Sequence, residues 1–149
     1  MNINIRRCLF GGIYGLLISL IFSFIISNVS GILFGGTTFQ HSLWLFWTSC
    51  IPFTISFAVS GYFLTYRGLQ RGKYWFVCAL IGFIIVLYMG TIGAIMGNTI
   101  MYNMGINIGG YIKWGPVYAL LYLPSSTLLV AGLLKVLRNL LTNKKMLNN

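Results

Sequence analysis

The chain has no aspartate and no glutamate among its 149 residues, and it has a single histidine. Without carboxylate side chains, the sequence excludes paired-carboxylate hydrolysis, carboxylate-bound Mg²⁺ or Ca²⁺, and proton relays through buried acids. It also excludes salt bridges between the chain's own side chains. His41 has no carboxylate or cysteine partner nearby in the sequence, and no phosphate-binding loop is present. We therefore expect no enzyme activity, no metal site and no cofactor.

Charged residues are scarce as well, at 7% of the chain, whereas hydrophobic residues make up 58%. Soluble domains usually carry roughly 25% charged residues. The composition therefore predicts a membrane protein, and the length predicts one domain over residues 1–149. The expected fold class is all-α: a polytopic protein with a four-helix transmembrane bundle.

Four apolar runs are long enough to cross a bilayer at about 1.5 Å of rise per residue. They predict membrane spans at about residues 10–33, 44–66, 75–96 and 116–134. Between the last two spans, asparagines alternate with apolar residues and glycines interrupt the pattern. This predicts an interfacial or partly re-entrant segment over 98–114. After the fourth span, leucines at helical spacing alternate with Lys135 and Arg138, which predicts a basic amphipathic tail over 135–149.

The ten lysines and arginines are distributed unequally between the two sides of these spans. Only Lys113 falls on one side, so the positive-inside bias predicts that both termini and the connection between the second and third spans are cytoplasmic. We expect a multi-pass protein of a bacterial inner membrane or plasma membrane. Because the cations border apolar runs, we expect anionic lipid headgroups as partners and no nucleic acid. The central connection forms a cytoplasmic basic rim of Arg67, Arg71 and Lys73.

Small residues recur at every fourth position of the first predicted span, where they share one helix face. In a bilayer, small residues at this spacing let helix backbones approach closely. The third predicted span has two pairs with the same spacing. We predict helix packing at both sets of residues, although the spacing does not identify the partner helix. The two sets are Gly11, Gly15, Ser19, Ser23, Ser27 and Gly31, and Gly90, Gly93, Ala94 and Gly97.

Hydroxyl side chains are the polar feature expected at mid-membrane depth. Pro124 predicts a kink in the fourth span, and the hydroxyls beside it are available to the carbonyls that the kink frees. The alternative role for these side chains is contact with a solute. The candidate solute contacts are Thr54, Ser56, Ser125, Ser126 and Thr127.

The sequence from Arg7 to Ser19 reads RCLFGGIYGLLIS. Together with the four spans and the lysine- and asparagine-rich end, it resembles a family of small bacterial membrane proteins encoded beside LytTR-type transcription regulators. The resemblance implies a protein that restrains such a regulator at the membrane.

Three functions remain open from the sequence. The first is a non-catalytic accessory or regulatory membrane protein, acting through helix contacts with another membrane protein, with a second copy of itself, or with a cytoplasmic regulator. The second is a small transporter or channel, as a monomer or an oligomer, for a neutral or anionic solute. The third is a lysis or immunity protein that acts on membrane integrity. The absence of site chemistry favours the first.

Overall fold

The computed structural model describes residues 3–34, 39–63, 71–102 and 108–143. Within these ranges the chain is helical, with one non-helical residue at Tyr122 and no strand. A π-helical turn, Met89–Gly93, joins the third helix to the fourth. The helices are α1 (Ile3–Phe34), α2 (Phe39–Phe63), α3 (Arg71–Tyr88), α4 (Ala94–Tyr102), α5 (Ile108–Leu121) and α6 (Leu123–Asn143).

Three stretches are long and apolar enough to cross a membrane, and a bent pair makes a fourth if it forms one span. The protein is therefore an all-α membrane bundle, as the composition predicts. The stretches are Asn4–Ile32, His41–Phe63 and Gly72–Thr99, and the bent pair is Ile108–Leu121 with Leu123–Thr142. Each of the three single stretches begins a few residues before the predicted span. The polar residues at these positions are compatible with a helix.

The segment 98–114, predicted as interfacial or partly re-entrant, is helical over the residues that the structure describes. Its first residues continue α4 and its last residues lie in α5, while residues 103–107 lie outside the described ranges. Asn98 is accommodated in α4 because its side chain hydrogen bonds to side chains of two other helices. Gly109 and Gly110, predicted to interrupt any long helix, lie in the first turn of α5.

The fourth predicted span corresponds to two helices, α5 and α6, with a sharp bend between them. The axes of α5 and α6 differ by 67°, and the break falls at Tyr122, two residues before Pro124. Proline has no amide hydrogen, so Pro124 cannot donate to the carbonyl four residues earlier, and its ring crowds that turn. Residues 135–143 of the predicted tail lie in α6, which also holds the second half of this span, and residues 144–149 lie outside the described ranges.

The apolar core lies where α6 crosses α2 and α3. Phe53 and Phe57 of α2 and Cys78 and Ile85 of α3 pack in one cluster with α6. Two tyrosine hydroxyls, from α1 and α3, donate hydrogen bonds to α6 backbone carbonyls within this region. Helix α6 is therefore fixed to the bundle from its middle onwards, and its buried residues are Val130, Ala131, Leu134, Leu137 and Leu141.

Candidate interaction surfaces

The small-residue row of α1 faces the second helix of the same chain. A Cβ atom at Gly11 would overlap the carbonyl oxygen of Phe57, and one at Gly15 would overlap the carbonyl oxygen of Phe53. The two helices therefore touch through their backbones, which only glycine permits at these positions. Further along the row, Ser19, Ser23 and Ser27 are also buried.

The contact between α1 and α2 is antiparallel and has a regular register. A step of four along α1, from Gly11 to Gly15, matches a step of four back along α2, from Phe57 to Phe53. The same register continues towards the start of α1. Arg7 lies four residues before Gly11, and a Cβ at Gly61, four residues after Phe57, would lie 2.5 Å from its carbonyl oxygen. At Gly11 and Gly15 the row is thus occupied by α2.

The small residues of the third span pack against two different helices. A Cβ at Gly93 would lie 2.7 Å from the carbonyl oxygen of Thr48 in α2. At Gly97, a Cβ would lie 2.6 Å from the indole nitrogen of Trp44, also in α2. Gly90 instead faces α5, where its nearest neighbour is the α-carbon of Gly115. Ala94 is buried beside this turn. Both predicted packing sets therefore lie in contacts within the chain.

A chain of polar side chains connects α2, α4 and α5 at the end of the bundle opposite the start of α3. The Trp44 indole N–H donates to the side-chain oxygen of Asn98 at 3.1 Å. The Asn98 side-chain amide donates in turn to the hydroxyl of Tyr111. The sequence alone does not indicate that Trp44, Asn98 and Tyr111 form hydrogen bonds with one another. The only signal that could have identified the contact is an asparagine at the end of an apolar run, which requires partners in a membrane.

The candidate solute contacts do not form one site. The α-carbon of Thr54 would lie 2.9 Å from a Cβ at Gly15, so Thr54 belongs to the α1–α2 contact. Ser126 packs on α3 instead, where its hydroxyl oxygen would lie 2.9 Å from a Cβ at Gly82. The Ser56 carbonyl accepts a hydrogen bond from the Ser60 hydroxyl one turn later.

The hydroxyls beside Pro124 are bonded to their own helical segment. Ser125 donates to the carbonyl of Tyr122 at 3.0 Å, whereas Ser126 and Thr127 both donate to the carbonyl of Leu123. Each bond reaches back three or four residues, as hydroxyls in membrane helices commonly do. The donors are thus directed to the backbone next to the break, as expected for a structural role.

Neither metal ligands nor known relatives identify an activity. The described part of the chain has no group of three or more histidine, cysteine or acidic residues that could hold a metal ion. Its three cysteines are free. The chain matches no family model, no curated protein and no solved structure. What the protein binds is therefore argued from its own exposed surfaces.

Exposed cations gather at one end of the bundle, which we call the basic end. It carries Arg6 near the start of α1, Lys73 at the start of α3, and Lys135 and Arg138 on the outer face of α6. The chain has no acidic side chain that could pair with any of them. Arg7, on the same side, is half-buried, and its Nε atom is buried without a hydrogen bond to any described residue.

The structure describes only part of the predicted basic rim. Lys73 is exposed, Arg71 is the first residue of α3, and Arg67 lies outside the described ranges. Charge counting predicts Lys135 and Arg138, in the basic amphipathic tail, on the same side as Lys73. Because α6 crosses the bundle, they belong to the same end as Lys73: the Tyr74 hydroxyl, next to Lys73, donates to the carbonyl of Ala131 at 2.7 Å. Lys113, on α5, is also exposed.

Proposed function

We propose that this membrane protein is a non-catalytic accessory or regulatory component that binds an acidic partner surface at its basic end. The observation that carries the proposal is the group of exposed cations, including Lys73, Lys135 and Arg138, in a chain without Asp or Glu. An exposed charge with no counter-charge in its own chain remains available to a partner. Complementary charge of this kind also accelerates and orients association.

The use of the remaining polar and small residues supports binding rather than solute handling. The small residues of α1 contact α2, and the hydroxyls beside Pro124 donate to backbone carbonyls. Catalysis or ion coupling in a bilayer usually requires an ionisable group within a span, because a strong functional reason must offset its desolvation. The middle parts of the predicted spans have no Asp, Glu, Lys, Arg or His.

The partner that the proposal favours is a cytoplasmic transcription regulator of the LytTR type. The resemblance over residues 7–19 points to such a regulator, and the positive-inside bias predicts that the basic end faces the cytoplasm. In this proposal the protein holds the regulator at the membrane through its basic end. Release of the regulator would then depend on weakening an electrostatic contact, for example by raising the salt concentration.

The test is neutralisation of the exposed cations of the basic end by Lys73→Gln, Lys135→Gln and Arg138→Gln together. Binding of a LytTR-type regulator encoded beside the gene would be measured on the protein reconstituted in lipid nanodiscs. Exposed ion pairs contribute roughly 0.2–1 kcal/mol each, so we expect about tenfold weaker binding and a smaller salt dependence. Lys113→Gln is the matched control and should bind as the unmodified protein does. Unchanged binding by the triple variant would contradict the proposal.

A second candidate, a transporter or channel for a neutral or anionic solute, is favoured by the broken fourth span. Discontinuous helices surround substrate sites in many transporters, and π-helical turns occur frequently at functional sites. The structure has both features, with a 67° break at Tyr122 and a π-turn at Met89–Gly93. Solute flux into vesicles that is lost when Ser125, Ser126 and Thr127 are replaced with alanine, with regulator binding unchanged, would favour this second function.

A further inference from the structure

The π-turn Met89–Gly93 changes which side of its helix is buried. Before the turn, buried residues recur at steps of four and three along α3; they are Cys78, Gly82 and Ile85. Continued in a regular α-helix, these steps would bring Ile92 and Met96 to the buried side. In the structure Gly93 and Gly97 are buried instead, and Ile92 is 56% exposed. The turn therefore holds one extra residue, which rotates α4 by about 100° relative to α3.

This rotation allows α4 to lie close to α2. A Cβ at Gly93 would lie 2.7 Å from the carbonyl oxygen of Thr48, and one at Gly97 would lie 2.6 Å from the indole nitrogen of Trp44. Neither position has room for a side chain. In a regular α-helix the preceding residues, an isoleucine and a methionine, would take these two places and force α4 away from α2. The two registers of α4 thus correspond to a closed and an open contact with α2.

Two hydrogen bonds of Asn98 hold α4 in the closed register. The Trp44 indole donates to the Asn98 side-chain oxygen at 3.1 Å, and the Asn98 amide donates to the Tyr111 hydroxyl. An indole can only donate, so the oxygen of Asn98 must face Trp44 and its nitrogen must face Tyr111. Rotation of α4 by about 100° would turn this side chain away from both partners. One side chain therefore joins the closed register to α2 and α5.

We propose that the π-turn is a register switch. When the Asn98 hydrogen bonds are broken, Met89–Gly93 returns to a regular α-helix, α4 rotates, and the α2–α4 contact opens. A ligand or partner that binds the open register would select it. Opening uncovers the Thr48 carbonyl, which Pro52, four residues later, leaves without its usual amide donor. The switch lies at the end of the bundle opposite the basic end, so it is independent of the proposed partner.

The test measures distances between spin labels on the full-length, otherwise cysteine-free protein in lipid nanodiscs. The reporting pair is Thr99→Cys on α4 with Phe24→Cys on α1, and the control pair is Ile84→Cys, before the turn, with the same reference. All three positions are exposed. At the outer radius of a helix, about 5–6 Å, a rotation of about 100° moves a side chain by about 8 Å. We expect Asn98→Leu to add a second distance, shifted by about 5–8 Å, in the reporting pair alone.

Deletion of Ile92 separates a change of register from general loosening. It removes the extra residue, so a regular α-helix would still present Gly93 and Gly97 to α2. We expect this variant to fold and melt as the unmodified protein does. Deletion of Ile84, in the regular part of α3, rotates every later residue and should unfold the bundle. Asn98→Leu combined with the Ile92 deletion should give a single distance in the reporting pair.

Four results would overturn the proposal. A second distance that is also found in the control pair, or that persists after deletion of Ile92, would mean general loosening. A single distance in Asn98→Leu would mean that α4 has only one register. An Ile92 deletion as destabilising as the Ile84 deletion would mean that the turn holds no extra residue.

Discussion

Replacing Gly15 with alanine tests whether α1 and α2 touch through their backbones. The added methyl group would overlap the carbonyl oxygen of Phe53. It would also lie 2.8 Å from the carbonyl carbon of that residue and 2.9 Å from the α-carbon of Thr54. Because all three atoms belong to the backbone of α2, no side chain can rotate away to make space. The two helices must therefore separate by about 1 Å to restore ordinary van der Waals contact.

This separation has a calculable consequence for stability. A gap of about 0.5–1 Å loses roughly a quarter to a half of the van der Waals attraction at a contact. Overpacking of a filled interior typically costs about 1–3 kcal/mol. Since the row continues through Ser19 and Ser23, both buried, separation at Gly15 loosens several turns. We expect Gly15→Ala to lower the free energy of unfolding by about 3 kcal/mol, at the upper end of that range.

The measurement is unfolding of the purified protein in mixed micelles, followed by circular dichroism as the fraction of denaturing detergent rises. Gly12→Ala is the matched control on the same helix. Its Cβ would lie 3.7 Å from the Cβ of Ala58 and 3.8 Å from a methyl of Thr54, which is ordinary contact. We expect it to be neutral, or more stable by up to about 1 kcal/mol through helix propensity. Equal destabilisation by both variants would refute backbone contact at Gly15.

Three further predictions concern the polar chain, the broken span and the orientation. Asn98→Leu removes the acceptor of the Trp44 indole, so we expect a loss of about 1 kcal/mol in the same unfolding assay, typical of hydrogen bonds between membrane helices. No loss of stability would mean that the hydrogen bonds of Asn98 do not stabilise the bundle. Pro124→Ala restores the missing amide, so spin labels at positions 112 and 136 should move apart by about 6 Å if the helix straightens at 1.5 Å per residue. An unchanged distance would show that packing alone maintains the bend. In a cysteine-free background, single cysteines at positions 41 and 70 should react from opposite sides of the membrane, and labelling from one side would contradict the four-span orientation.

The long apolar stretches could be predicted from the sequence because bilayer thickness requires about 20 apolar residues for each crossing. The three long stretches follow from composition alone. The break at Tyr122 is harder to predict from the sequence. Pro124 predicts a disturbance there, but neither the 67° angle nor the packing of α6 on α2 and α3 follows from the sequence pattern. Such packing joins residues far apart in the chain, which local patterns do not reveal.

The candidate sites were predictable as residue types but not as contacts. Spacing of four shows that Gly11 and Gly15 share a face, yet either another protein or another helix of the chain could occupy it. Only the structure identifies α2 as the occupant. Likewise, charge counting places both the basic rim and Arg138 on one side, whereas the contact that joins Tyr74 of α3 to Ala131 of α6 required the structure. The orientation of the termini remains a prediction from the distribution of cations.

The register between α1 and α2 has a consequence for how the protein is made. Helices α1 and α2 are consecutive and their contact is antiparallel, so they can pair as a hairpin as soon as both have left the ribosome, with little loop-closure entropy. The cluster around Phe53 and Phe57 cannot form then, because it also requires Val130 to Leu141. During synthesis, a finished hairpin therefore waits with one apolar face covered by lipid. Arrival of α6 then displaces that lipid and completes the cluster around Phe53 and Phe57.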